Sequence, residues 1–323
     1  MGYAHVSFFY IFRIGGKLMK KIVLSLVGLI LLVVLIGGAY FWFSPPKNQP
    51  TLPAKKSIVE KDTASSADSA NPSAESEPML NVPTIFVHGY SGGKGSFGGM
   101  IKRFSQDKEG TPSLVATIDP DASIHYEGEY DSKAKNPLIQ VLFSDNKSTE
   151  ENQSWWLQEL FQSLKTNYGI ETLNAVGHSM GGVSLTNYIT KFGQDVSYPS
   201  LDKLVLIGAP INGLEIGADG VTDFDLTDEG PLMATERYQN FMNLRDNLPV
   251  DLAVLSIAGD KEDGTKSDGS VSVASALSAR FIFEGKVADY REMTFTGLKA
   301  AHSLLHENQA VDQAVTQFLW KED

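Results

Sequence analysis

The hydrophobic pattern of this 323-residue chain changes character near residue 82. Beyond that point, short apolar runs ending at glycine or proline alternate with stretches whose apolar residues recur every three or four positions. The first pattern predicts buried strands and the second predicts amphipathic helices. The predicted strands are VPTIFVHG, SLVATIDP, PLIQVLFS, TLNAVGHS, KLVLIGAP, LAVLSIAGD and YREMTFTG. Their alternation with helices predicts an α/β fold, a mostly parallel sheet with helices on both faces.

The strongest predicted helix is STEENQSWWLQELFQSLKTNYG. Ser148 or Thr149 can cap it, acidic residues fill its first turn, and apolar residues repeat every four positions. Further helices are predicted in FGGMIKRFSQ, MGGVSLTNYITKFG and NQAVDQAVTQFLW.

One long insertion interrupts the alternation at residues 211–248, between Pro210 and Pro249. It is acidic at first and helix-like from Leu232 to Asn247. An insertion after a strand of such a sheet predicts either a lid over a site or an ordinary long crossover, and the pattern leaves both open.

Before the folded region lies an apolar stretch of 22 uncharged residues, Ile22 to Phe43. At about 1.5 Å per residue it is long enough to cross a hydrocarbon core of about 30 Å. Lysines precede it, which predicts a transmembrane signal anchor with residues 1–21 as a basic cytoplasmic segment and the remainder outside the cell. A cleaved signal peptide is the alternative, although its apolar region would normally be shorter. Because the sequence from Met19 already resembles a complete export signal, we expect residues 1–18 to be an over-extended start.

The stretch between the anchor and the first strand has the composition of a linker. Residues 47–81 contain no aromatic residue and are rich in serine, alanine, proline, lysine and glutamate. Such a stretch has too little apolar surface to form a core, which predicts a flexible linker over residues 44–81 and a folded domain over 82–323.

Charge and cysteine content exclude several classes of function. The net charge is −12, and because residues 1–44 sum to +4, the remainder sums to −16, which disfavours nucleic acid as a partner. The absence of cysteine excludes disulfides and a thiolate nucleophile, and it excludes a lipid anchor on cysteine. No H-E-x-x-H or Cys/His cluster is present, so we expect neither a metal nor a cofactor.

The chemistry centres on Ser179, in the pentapeptide GHSMG between a predicted strand and a predicted helix. This context is that of a nucleophile elbow, in which flanking glycines allow a sharp turn. The turn places Ser179 at a helix N-terminus, where the amide of Met180 can hold an oxyanion. A second amide is expected from the loop after the first strand, and Tyr90, which follows His88-Gly89, is the candidate.

A serine triad on this architecture runs in the order serine, acid, histidine. Only His302 and His306 follow Ser179, so the base is one of these two. Candidates for the acid follow the strand LAVLSIAG and are Asp260, Glu262, Asp263 and Asp268. Asp268 is favoured because its loop enters an apolar stretch, and Asp260 is second, whereas the other two are expected to be solvated.

The segments VHGYSGG, GHSMGG, SDGSV and HSLLHEN together resemble the extracellular α/β-hydrolases of Gram-positive bacteria, a family whose physiological substrate is unknown. They are also similar to small bacterial lipases, and the resemblance extends from Val82 to the end. It implies an α/β-hydrolase fold, with the oxyanion residue at Tyr90. It also implies an acid in an Asp-x-x-Val loop, at Asp268, and a base nine positions before a valine, at His302. The longer acidic insertion is a departure from the lipase pattern.

These observations together predict a single-pass membrane protein whose extracellular domain cleaves carboxylic esters. The triad is expected to be Ser179, Asp268 and His302, with Tyr90 and Met180 as oxyanion donors and an acyl-enzyme as intermediate. We expect a monomer acting on a small-molecule or lipid-like ester. Two alternatives stay open from sequence: an acyltransferase or amidase using the same triad on cell-envelope substrates, and a non-catalytic surface binding module on a hydrolase fold.

Overall fold

The computed structural model describes residues 81–214 and 225–321. The predicted anchor and the predicted linker before residue 81 lie outside these ranges. None of the helices in the two described ranges is both long enough and apolar enough to cross a bilayer.

A single eight-stranded sheet forms the centre of this part of the chain. Its strands are β1 (Thr84–Val87), β2 (Thr111–Ile118), β3 (Ile124–Gly128), β4 (Pro137–Phe143), β5 (Thr172–His178), β6 (Ser200–Ile207), β9 (Ala253–Asp260) and β10 (Asp289–Thr296). A small separate hairpin pairs β7 (Leu226–Thr227) with β8 (Gly230–Pro231). The order across the sheet is β10-β9-β6-β5-β1-β4-β2-β3, and only β3 runs antiparallel to its neighbour. This confirms the predicted mostly parallel sheet of an α/β-hydrolase fold.

Helices cover both faces of the sheet. They are α1 (Lys94–Gln106), α2 (Glu150–Tyr168), α3 (Met180–Phe192), α4 (Glu236–Leu244), α5 (Val273–Leu277), α6 (Ala279–Phe283) and α7 (Gln309–Trp320). Short 3₁₀ helices occupy Arg245–Asn247, Leu298–Ala300 and His302–Glu307. Of the two residues expected to cap α2, Thr149 does so, because its side chain accepts a hydrogen bond from the amide of Asn152.

The core has two layers because successive strand residues point to opposite faces of the sheet. Ile85 and Val87 of β1 belong to the cluster that contains the buried residues of α2, α3 and α4. Phe86, between them, belongs to the cluster that contains Phe97 of α1 and Val311 of α7. The central strands are buried on both faces, as their continuous apolar runs predict.

Several element boundaries differ from the predictions. The helix expected from Leu232 begins only at Glu236, because the hairpin of β7 and β8 comes first and Thr235 caps the helix with its side chain. Helix α1 begins at Lys94, before the predicted segment. Strand β3 and helices α5 and α6 were not predicted; β3 is a half-exposed edge strand without a continuous apolar run.

Candidate active site

Ser179 lies at the sharp turn between β5 and α3, at the carboxyl edge of the parallel strands. Its backbone has φ 54° and ψ −128°, a conformation that non-glycine residues rarely adopt. The turn is held because the Ser179 amide donates to the carbonyl oxygen of Ile207 at 2.9 Å. The Ser179 carbonyl oxygen accepts hydrogen bonds from the amides of Gly182 and Val183, which lie in the first turn of α3.

The glycines around Ser179 are needed for close approach. A Cβ atom on Gly177 would lie 2.6 Å from the Cα atom of Gly182. A Cβ atom on Gly181 would collide with the carbonyl oxygen of Val87 on the neighbouring strand. The backbone of the pentapeptide therefore packs directly against the backbone of α3 and of β1, as expected for a nucleophile elbow.

Ser179, His302 and Asp268 form one continuous line of hydrogen bonds. The Nε2 atom of His302 lies 2.9 Å from Oγ of Ser179, and its Nδ1 atom lies 2.7 Å from Oδ2 of Asp268. The other carboxylate oxygen of Asp268 accepts hydrogen bonds from the amides of Ser270, at 2.9 Å, and Val271, at 2.7 Å. Asp268 is only 2% exposed, so this carboxylate is oriented and shielded from water.

Two further glycines make room for the buried carboxylate. Gly208, after β6, has φ +53°, and a Cβ atom there would lie 3.1 Å from Oδ2 of Asp268. A Cβ atom on Gly259, in β9, would lie 3.0 Å from the Cβ atom of Asp268 and would collide with the carbonyl oxygen of Ala300.

The other acidic candidates lie outside this line of hydrogen bonds. Asp260 accepts a hydrogen bond from the amide of Glu262. Asp263 pairs with Lys261 at 2.8 Å and bonds Thr265. The second candidate base, His306, has its Nδ1 atom 3.3 Å from Oε1 of Glu307.

Residues 71–322 match the family described as alpha/beta hydrolase of unknown function, DUF915. The chain belongs to this family. The product of the gene lin2722 of Listeria innocua is 31% identical, with 75% of this chain and 95% of that chain covered and a TM-score of 0.70. A candidate cell surface hydrolase from Lactobacillus plantarum WCFS1 is 28% identical, with 76% and 94% covered and a TM-score of 0.64. Among curated proteins none matches the chain. The family match confirms the resemblance stated from the sequence motifs.

The loop after β1 brings Gly89 of the hydrolase directly against Ser179. A Cβ atom on Gly89 would lie 2.8 Å from the Cβ atom of Ser179, so only glycine fits without displacement. Next along the loop is Tyr90, which is 60% exposed. Within residues 81–214 and 225–321, neither the Tyr90 amide nor the Met180 amide is bonded to an acceptor.

His88 fixes the orientation of the Gly89–Tyr90 peptide. The amide of Phe143 donates to Nε2 of His88 at 3.1 Å, so this nitrogen is unprotonated and Nδ1 carries the hydrogen. Nδ1 then donates to the carbonyl oxygen of Gly89 at 2.8 Å. Burial lowers the pKa of His88, so the imidazole is neutral. In a trans peptide the N–H points opposite to the C=O, so the Tyr90 amide is directed away from His88.

Arg103 of α1 supports the short helix that carries His302. Its Nη2 atom donates to the carbonyl oxygen of His306 at 2.8 Å, and its Nη1 atom donates to Oε2 of Glu307 at 2.7 Å. Sequence reasoning missed this residue, since its partners lie about two hundred positions away. His88 was missed as well. Its position directly before Gly89, in the loop expected to supply an oxyanion donor, was a signal in the sequence that it could orient this loop.

The side chain of Asn212 joins the two ends of the insertion. Its side-chain Nδ2 donates to the carbonyl oxygen of Met233 at 2.8 Å, and its Oδ1 accepts from the amide of Thr235 at 2.9 Å. Asn212 is fully buried. Helix α4 then packs into the core through Tyr238 and Phe241. Residues 215–224 lie outside the described residues, so the predicted lid stays a prediction.

No group of three or more histidine, aspartate or glutamate side chains in the described residues is arranged to hold a metal ion. The chemistry that the site itself offers is that of an oriented serine, an imidazole and a buried carboxylate.

Proposed function

We propose that this chain is a membrane-anchored, extracellular serine hydrolase that cleaves carboxylic esters through an acyl-enzyme. The observation that carries the proposal is the line of hydrogen bonds from Asp268 through His302 to Ser179. Family and fold make the chain a member of the alpha/beta hydrolases. The ester substrate, the roles of the three residues and the location are the proposed part.

In the first step, Nε2 of His302 removes the hydroxyl proton of Ser179 as Oγ attacks the ester carbonyl carbon. Nδ1–H of His302 donates to Asp268, which leaves the Nε2 lone pair directed at the serine. As the imidazole becomes positively charged, the carboxylate of Asp268 stabilises it. The two backbone amides on Asp268 hold that carboxylate in place.

The negative charge that develops on the ester carbonyl oxygen needs donors in place before attack. The amides of Tyr90 and Met180 are proposed for this role. Met180 directly follows Ser179, and Tyr90 directly follows Gly89, which packs against Ser179. Both amides lack an acceptor within the described residues. His88 supports the assignment because its Nδ1–H bonds the carbonyl oxygen of Gly89. This bond fixes the peptide group that also bears the Tyr90 amide.

Collapse of the tetrahedral intermediate breaks the carbon–oxygen bond of the ester, and His302 returns its proton to the departing alkoxide. The acyl group then remains on Ser179. A water molecule gives one proton to His302 as its oxygen attacks the acyl carbonyl carbon. When the bond between that carbon and Oγ of Ser179 breaks, His302 returns the proton to Oγ, which releases the carboxylic acid and restores the serine hydroxyl. Every protein group used in these steps comes from one chain.

Two observations support the outward, membrane-anchored location. The sequence holds 22 uncharged residues from Ile22 to Phe43, preceded by lysines. A relative of similar structure is described as a candidate cell surface hydrolase. Protease treatment of intact cells tests the location: the domain is expected to be released or degraded, and complete protection would contradict the proposal.

A fluorophosphonate probe tests the nucleophile. Wild-type protein is expected to be labelled, and Ser179→Ala is expected to abolish both labelling and turnover of a short-chain ester. A well-folded wild type that is neither labelled nor active would favour a non-catalytic binding module. Labelling that survives in Ser179→Ala would remove Ser179 from its assigned role.

The two candidate bases form a matched pair for the second test. His302→Ala is expected to lower turnover by several orders of magnitude, because the proton of Ser179 then has no acceptor. His306→Ala is expected to keep most of the turnover. The reverse pattern would transfer the role of base to His306.

Product analysis distinguishes hydrolysis from acyl transfer. With ester substrate in water, free acid is the expected product. If an added alcohol or amine acceptor captured most of the acyl group at millimolar concentration, the acyltransferase alternative would replace hydrolysis. Cleavage of amides in preference to matched esters would favour the amidase alternative.

A further inference from the structure

His178 is a buried histidine that the proposed mechanism does not use. It ends β5, directly before Ser179, and is 6% exposed. Its Nε2 atom lies 3.0 Å from the carbonyl oxygen of His302. A carbonyl oxygen only accepts hydrogen bonds, so Nε2 carries the hydrogen and His178 is the donor.

The ring of His178 packs between two other imidazoles. Its centroid lies 4.7 Å from that of His302 and 4.6 Å from that of His306, the latter with an interplanar angle of 82°. Burial lowers the pKa of His178 well below its ordinary value, and the neighbouring imidazoles His302, His306 and His88 lower it further. His178 therefore stays neutral, and a single hydrogen on Nε2 serves the carbonyl of His302.

The residue that His178 contacts needs to be held in place. His302 begins a six-residue 3₁₀ helix, an element with poorer hydrogen-bond geometry than an α-helix. Its imidazole must nevertheless keep contacts of 2.9 Å to Ser179 and 2.7 Å to Asp268. The amide of His302 is held by the backbone carbonyl oxygen of Asp268 at 2.9 Å, and its carbonyl is held by His178. Both polar backbone groups of His302 are thus fixed.

We propose that His178 is a positioning residue, whose Nε2–H fixes the backbone of His302 and thereby sets its imidazole between Ser179 and Asp268. This inference rests on the proposed function, in which His302 is the base. Neutrality is part of the role. A positive ring 4.7 Å from His302 would oppose the charge that His302 gains when it takes the proton of Ser179.

Paired substitutions separate positioning from packing. His178→Leu keeps much of the bulk but removes the donor, and it is expected to lower kcat by about 10²-fold with little change in KM, as small misplacements of a catalytic group do. His178→Gln offers a side-chain N–H at a similar reach and is expected to retain most of the wild-type kcat. Asn174→Leu is the matched control, since Asn174 is a buried polar residue at the other end of β5, on the same face. It is expected to change the melting temperature without changing kcat.

A second measurement does not depend on turnover. The proton in the hydrogen bond between His302 and Asp268 is followed by its downfield ¹H NMR resonance in wild type and in both His178 variants. The resonance is expected in wild type and in His178→Gln, and it is expected to broaden or vanish in His178→Leu. Ser179→Ala should retain it. If wild type were inactive yet showed this pattern, the proposed function would fail while the positioning role would stand. Wild-type kcat and an unchanged resonance in His178→Leu would overturn the proposal, as would equal losses in the Leu and Gln variants.

Discussion

Arg103 and Asp312, 209 positions apart in the sequence, form a two-point ion pair. The Nε atom of Arg103 lies 2.5 Å from Oδ2 of Asp312, and its Nη2 atom lies 3.1 Å from Oδ1. The same guanidinium also bonds the short helix that bears His302. One side chain therefore connects α1, the helix after the Gly89 loop, to the short helix that bears His302 and to α7.

Replacing Arg103 tests the energetic weight of this connection. Arg103→Met leaves the shielded Asp312 carboxylate without its partner and is expected to lower the free energy of unfolding by about 3–5 kcal/mol. Urea denaturation followed by circular dichroism measures it. Lys94→Met is the control, because Lys94 pairs with Glu127 where both side chains are well exposed, and there about 1 kcal/mol or less is expected. Equal losses in the two variants would contradict the prediction.

The choice of acid is tested by two aspartate-to-asparagine changes. Asp268→Asn is expected to lower kcat by about 10⁴-fold, because an amide neither stabilises the His302 imidazolium nor selects its Nδ1–H tautomer. Asp260→Asn is expected to keep near wild-type turnover, since its side chain bonds the amide of Glu262 instead. Steady-state ester kinetics measures both. A greater loss in Asp260→Asn would move the acid to that residue.

Substitution of glycine by alanine is expected to have opposite effects on stability at Gly181 and at Gly98. A Cβ atom in Gly181→Ala would collide with the carbonyl oxygen of Val87 and would lie 2.6 Å from that of His88, so the melting temperature and activity are both expected to fall sharply. Gly98→Ala meets nothing within 4 Å inside α1. It is expected to raise the free energy of unfolding by about 0.5–1 kcal/mol, because alanine loses less backbone entropy in a helix. Thermal and urea unfolding of both variants decide the matter, and destabilisation by Gly98→Ala would be the contrary result.

The buried histidines predict loss of stability in mild acid. Burial is the main cause that lowers the pKa of His88, of His178 and of His306 in the folded protein. Below about pH 6.5 the unfolded chain therefore binds more protons, and the free energy of unfolding falls by up to about 1.4 kcal/mol per pH unit for each histidine. The stabilisation is complete above pH 6.5 and is lost as the pH falls toward the lowered values. Urea unfolding at pH 7.5 and pH 5.5 measures this, with a shallower dependence expected in His306→Gln. Equal stability at the two pH values would count against it.

The sheet was predictable because its strands are marked locally. Buried parallel strands have continuous apolar runs, and the runs around β1, β5, β6 and β9 are bounded by glycine or proline. The turn at Ser179 was also predictable, because the glycines that it requires lie within five consecutive residues of the sequence. Strand β3 lacks such a mark, because an edge strand that is half exposed carries mixed polar and apolar residues.

The residue proposed as the acid was less predictable from the sequence. Asp260 ends β9, Asp263 and Asp268 lie in the polar loop that follows it, and the local sequence alone does not rank the three decisively. Two backbone amides of its own loop bond one oxygen of Asp268 in the structure. Its burial beneath Gly208 and Gly259, by contrast, depends on how β6 and β9 are arranged in the fold. The contacts of Arg103 and His178 are likewise long-range, so no local pattern encodes them.

The side chain of Asn212 has a consequence for how this domain can vary. Because it binds Met233 and Thr235 together, the chain between residues 213 and 232 begins and ends at one fixed, buried point. Doubling the length of a flexible loop whose ends are already joined costs only about 0.6 kcal/mol of closure entropy. Longer, shorter or chemically different segments could therefore be exchanged here as cassettes. Such an exchange would leave the core and the turn at Ser179 as they are, because both lie outside the exchanged segment.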